Sequence, residues 1–189
     1  MQLPPEAFDF KEIEISRERD NIFVGLFTKN LLTKMTNEIQ KEYERLSKKY
    51  KLPKFKDIDL VFEISTIEQT AFLLRNIIGK IAEKIEFYRK FLEEFLQPDT
   101  SSISGMHEIR FFLDDEKQEI YSLYKKLMKF NRESIETDLT QDEKLEAKYI
   151  YNIFNAWAET KKDLLKYTEK MKESWEKETV TDEELPYFG

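Results

Sequence analysis

Residues 65–97, STIEQTAFLLRNIIGKIAEKIEFYRKFLEEFLQ, limit what this chain can fold into more than any other stretch. Ile67, Ala71, Leu74, Ile78, Ile81, Ile85, Tyr88, Leu92 and Phe95 recur at alternating spacings of four and three. A seam held over about four heptads belongs to a helix that buries one stripe against other helices, as in a coiled coil. Ser65 and Glu68 have the spacing of a capping box, with Ile64 ahead of them. Pro98 stops the helix, because proline cannot continue the hydrogen-bond ladder. The predicted helix is about 50 Å long, and the rest of the chain reads as partners for it.

Composition points the same way. Only 4 Gly and 5 Pro leave little turn material in 189 residues, which favours few, long elements. The length allows one domain with a real core. A helical domain over 1–178 and an acidic, then aromatic, tail over 179–189 are expected. The chain has no cysteine, which excludes disulfides, thiolate metal sites and cysteine nucleophiles. A net charge of -7 lacks the overall basic footprint of a nucleic-acid binder. No apolar run approaches the roughly 20 residues a membrane span needs, and the start, MQLPPEAFDF, lacks a signal-peptide pattern. The expectation is a cytoplasmic protein with no membrane association.

The other predicted helices bracket the seam. One runs from 16–21 to about Tyr50, with Val24, Phe27, Leu31, Met35, Ile39, Tyr43 and Leu46 inward. Residues 51–64 alternate in the period of a strand through Ile58, Leu60, Phe62 and Ile64. They and residues 1–15 are expected to form a small non-helical cap, either as a two-stranded ribbon or as extended loops. A third helical region covers Met106 to Ile135, with a short first piece and a kink at Asp114 and Asp115. Leu139, Thr140 and Glu143 suggest a staple and capping box opening a fourth helix that reaches about Glu178. The predicted fold is all-α, an elongated antiparallel four-helix bundle.

Reaction machinery is mostly missing. There is no glycine-rich phosphate loop. The single histidine, His107, cannot build a multi-histidine zinc site within one chain. His107, Glu108, Asp114, Asp115 and Glu116 form the one cluster with catalytic potential, as a metal-dependent hydrolase site for a hard cation. Against that, acids at helix N-termini are stabilised by the macrodipole without any function. Lys48, Lys49, Lys51, Lys54 and Lys56, interleaved with Tyr50 and Phe55, form a basic run suited to phosphates and stacked bases. Lysines near a helix C-terminus also simply offset its dipole.

The leading expectation is a non-enzymatic interaction or scaffold subunit of a larger assembly or homodimer, with no catalytic residue and no cofactor. Partner binding is assigned to Trp157, Leu165 and Trp175 on the fourth helix and to Tyr187 and Phe188 in the tail, because tryptophan is enriched at binding hot spots. Arg75 and Asn76 in a long helix, followed after a turn by Asp114, Asp115 and Glu116 and then Tyr121 and Tyr124, give a weaker pointer. Over less than half the chain this resembles the helical domain of GINS subunits of the replicative helicase. The small β domain of those subunits has no counterpart here. The resemblance implies an alternative role as an accessory subunit in DNA replication, using Lys48–Lys56.

Overall fold

The computed structural model describes residues 37–97 and 103–176, and every regular element among them is helical. A helix over 37–50 (α1) is followed by α2 (Phe55–Phe62), a single 3-10 turn (Ile64–Thr66), α3 (Leu73–Leu96), α4 (Ile103–Ile109), α5 (Asp114–Thr140) and α6 (Glu143–Ser174). No described helix is long and apolar enough to cross a membrane. The part of the expected non-helical cap at 1–15, the first part of the first helix, the end of the fourth and the tail at 179–189 lie outside the described residues.

Helix α3 packs against α2, α4, α5 and α6. Leu74, Ile78, Ile81, Ile85, Leu92 and Phe95 of the predicted seam are buried, joined by Leu73 and Ile77, and Tyr88 is half-buried. Each such side chain contributes about 1.5–3 kcal/mol on leaving water. The stripe therefore holds the helix in place far more than intrinsic propensity does. Facing it are Ile120, Leu123 and Leu127 of α5 and Ile150, Ile153, Leu164 and Tyr167 of α6.

Several segments depart from what their sequence suggests. Residues 55–62 are a helix, not part of a non-helical cap. Phe55, Ile58 and Phe62 fall at spacings of three and four and turn inward, which leaves Leu60 86% exposed. The same residues satisfy both periods, and packing on α3 selects the helical one. Lys54 enters extended, and Glu63 ends the helix in the left-handed region at φ 55°.

Helix α3 starts at Leu73, not at Ser65. The Ser65 backbone N–H is taken by the Asp59 carboxylate at 2.6 Å, so no capping box forms with Glu68. The β-branched run Thr66, Ile67, Thr70 adds little helix propensity to oppose this. Ile67 still buries itself, from a loop, whereas Ala71 is exposed.

The expected break before Asp114 is present, dividing α4 from α5. The Glu116 carboxylate accepts the Leu113 N–H at 2.8 Å, and the Leu113 side chain is 69% exposed. Thr140 closes α5 instead of capping α6. Asp142 is the N-cap, accepting from the Lys144 N–H at 2.7 Å, and Leu139 is left exposed without acting as a staple.

Polar groups inside the core are paired. Tyr43 donates to the Pro53 carbonyl at 2.9 Å and Tyr149 to that of Phe130 at 3.2 Å. Burial pushes both phenols well above their usual range. The buried Glu146 carboxylate accepts from Arg75 at 3.3 Å, tying α6 to α3. Among the described residues no buried side-chain nitrogen or oxygen lacks a partner.

Candidate docking groove

The inward turn of α2 leaves Leu60 exposed and Val61 half-buried at one side of a groove. Helix α3 supplies Lys84 and Tyr88, one turn apart, and α6 supplies Trp157, Lys161, Leu164, Leu165 and Thr168. The groove encloses about 410 Å³, within the range of ordinary ligand clefts. Trp157 forms its floor. The indole is 5% exposed and packs against Phe62 at 5.4 Å and Tyr88 at 5.9 Å between ring centres. Leu165 and Leu60 both line it and stay exposed, at 48% and 86%.

The electrostatics of this groove are one-sided. Acidic residues outnumber basic ones, 38 to 31, yet the lining holds two lysines and no carboxylate. Lys84 donates to the Val61 carbonyl near the C-terminus of α2 and lies 6.0 Å from the centre of the Trp157 ring. A helix end of this kind carries partial negative charge and attracts cations. Among the described residues, neither Lys84 nor Lys161 has an ion-pair partner. The Trp157 indole N–H likewise donates to no described residue, and it reaches solvent, since no buried polar atom is unpaired. The groove thus combines apolar area with two cations.

The sequence-selected partner residues divide. Trp157 and Leu165 meet in this groove. Trp175 does not join them. Its ring stacks on His107 at 4.4 Å, its Nε1–H donates to Glu108 at 2.8 Å, and 53% of it stays exposed. Together with the 3.1 Å contact between His107 Nε2 and the Ser174 carbonyl, this pins α4 to the end of α6. Tyr187 and Phe188 lie outside the described residues.

The groove also contains residues that a reading of stripes passes over: Leu60, Val61, Lys84 and Lys161. A signal for Leu60, Lys84 and Lys161 exists. Lys56 and Leu60, Lys84 and Tyr88, and Lys161 and Leu165 are each a lysine followed four residues later by an apolar side chain, on three different helices. Such pairs share a helix face.

The other clusters are used differently. Lys48, Lys51, Lys54 and Lys56 are exposed, without ion-pair partners among the described residues, and Lys49 pairs with Glu143 at 2.9 Å. Their interleaved aromatics are committed elsewhere. Tyr50 donates to Glu143 at 2.5 Å, and Phe55 packs edge-on against Tyr43 at 5.6 Å. The hydrogen bond from Lys49, and after it that from Tyr50, holds the Glu143 carboxyl below the usual carboxylate range. In the acidic cluster, Asp114 and Asp115 are exposed on the first turn of α5, and Glu116 pairs with Lys170. That pairing, reinforced by the Leu113 N–H, lowers the Glu116 pKa. Among the described residues no group of three or more histidine, aspartate or glutamate side chains is placed to hold a metal ion. No family model matches this chain, and no curated protein and no solved structure matches it.

Proposed function

We propose that this chain is a non-enzymatic helical interaction subunit of a larger assembly, built on an antiparallel bundle of four long helices. Its groove between α2, α3 and α6 receives an acidic amphipathic segment of a protein partner. One observation carries this reading: exposed Leu60 and Leu165 stand over the Trp157 floor, beside Lys84 and Lys161, with no carboxylate in the lining. Apolar area supplies the affinity, because an exposed apolar patch gains most by being covered. The lysines supply the choice of partner, since complementary charge selects and orients more than it tightens.

The test is a methyl NMR titration of the full-length protein with an amphipathic peptide of Leu, Phe and Glu, and with its Lys-for-Glu counterpart. Saturable shifts at Leu60, Val61 and Leu165 with the acidic peptide alone, weakened by salt, are expected. Equal response to both peptides, or none at these methyls, overturns the reading.

The exposed Lys48, Lys51, Lys54 and Lys56 support a second reading, that of an accessory subunit at a nucleic acid. Binding of oligonucleotides with a steep salt dependence, lost on charge reversal of these lysines, is the measurement that favours it.

A further inference from the structure

A second cavity, also of about 410 Å³, follows the docking groove along the seam between α3 and α6. Phe91, Glu94 and Phe95 of α3, Glu108 of α4 and Met171 of α6 are among its lining. The two long helices run in the same direction. Arg75 meets Glu146 near their starts, and Phe95 and Met171 share the second cavity near their ends. On α3, Tyr88, Phe91 and Phe95 fall within roughly 40° of Lys84, and on α6, Leu164, Thr168 and Met171 fall within roughly 40° of Trp157. One face of each helix therefore lines both cavities. Their described lining comes from α2, α3, α4 and α6, with α2 at one end of the seam and α4 at the other.

Charge reverses along this seam. The first cavity holds Lys84 and Lys161 and no carboxylate, and the second holds Glu94 and Glu108 and no cation among the described residues. Glu94 is exposed and, like the two lysines, has no ion-pair partner among the described residues. Glu108 accepts the Trp175 indole N–H and has no ion-pair partner there either. Where α6 faces α5 the charges are matched instead. Lys166 pairs with Glu119 at 2.6 Å, and Glu159 with Lys126 at 2.8 Å.

We propose that the two cavities form one track, and that its occupant is a bipolar amphipathic helix of a partner protein. The helix lies along α3 and α6 with acidic residues at Lys84 and Lys161 and basic residues at Glu94 and Glu108. The proposal rests on the docking reading above and adds to it a far end, an opposite charge and a length. Every lining element is helical, so an extended segment would find no sheet edge to pair its backbone, whereas a helix pairs its own. Lys84 and Glu94 are ten residues apart, about 15 Å along α3. Side chains about eleven residues apart on a helix share a face and stand about 16 Å apart, which matches that separation. The apolar stripe between them covers Leu165, Thr168 and Phe91. Reversing the helix would set like charges against each other, so one orientation is selected.

The test titrates the full-length protein, with labelled Leu, Val and Met methyls, against a helical peptide about five turns long. The peptide carries a Leu and Phe stripe, glutamates at one end and lysines about eleven residues on. A counterpart has glutamine in place of the lysines. The bipolar peptide is expected to bind roughly fivefold more tightly than its counterpart, the gain from exposed ion pairs. It should shift Met171 together with Leu60, Val61 and Leu165. Glu94→Lys, at an exposed position, should abolish the difference between the two peptides. A nitroxide on the acidic end should broaden Val61 more than Met171. Equal affinities, a difference that survives Glu94→Lys, or the reverse broadening would overturn the bipolar track. So would a silent Met171. Each leaves the docking reading standing as long as Leu60, Val61 and Leu165 respond. No response at any of these methyls would sink both. Shifts at Met171 and Leu165 on concentrating the protein alone would assign the track to a second copy and overturn the proposal.

Discussion

At the scale of single residues, the side chains that looked most chemical turn out to fasten helices. His107, the one histidine, stacks on Trp175 and meets the Ser174 carbonyl. Glu116 caps the Leu113 N–H and pairs with Lys170. Glu116 also sets a pH dependence. Its folded-state pKa is lowered, first by Lys170 and then by the Leu113 N–H. A depressed carboxyl contributes stability that is fully present above its unfolded value, 4.5, and is lost as pH falls through the folded value. Glu116→Gln is therefore expected to lower the melting temperature at neutral pH and to flatten its decline below pH 4.5. Melting curves of both proteins between pH 7 and pH 3, the ordinary range of carboxyl titration, check this. Parallel curves throughout would mean the pair contributes nothing.

Among the elements, the ends decide more than the middles. Helix α5 closes on Gln141 in the left-handed region, at φ 52°. A side chain there costs about 1–2 kcal/mol, and glycine is the residue helices prefer at such ends. Gln141→Gly should therefore stabilise the protein by up to about 1 kcal/mol once the greater freedom of the unfolded chain is subtracted. Urea denaturation with an unchanged slope would register the gain, and a loss would show that the Gln141 side chain does something its contacts do not reveal. Helix α2 makes the same point about position. Its eight residues bury Ile58 and Phe62 and present Leu60 outward. The groove exists because α2 is short and docks against α3 and α6 at one point.

For the whole molecule, α3 is the common partner, and its seam is where one charge does most damage. Ile81 is fully buried between helices. Ile81→Asp places an unpaired carboxylate there, at a cost of about 3–5 kcal/mol, a large share of the 5–15 kcal/mol by which domains are stable. Loss of the helical circular-dichroism signal near room temperature is the expected result. A variant with unchanged melting would place Ile81 at the surface and dismantle the architecture.

The amino-acid sequence determined the class of fold and its axis. Heptad spacing survives any arrangement of partners, so the burial of Leu74 through Phe95 was legible in advance. So was the break at Asp114, where acids gather at a helix start. Where two local rules compete, the sequence left the outcome open. Ile58, Leu60, Phe62 and Ile64 obey the period of a strand, and Phe55, Ile58 and Phe62 that of a helix. Only contact with α3 and α6 chose between them. The same holds for the groove. Trp157 and Leu165 could be named from α6 alone, but Leu60 and Lys84 lie on other helices, far away in the chain. Their meeting depends on how three helices pack, and a one-dimensional pattern carries no record of which faces end up side by side.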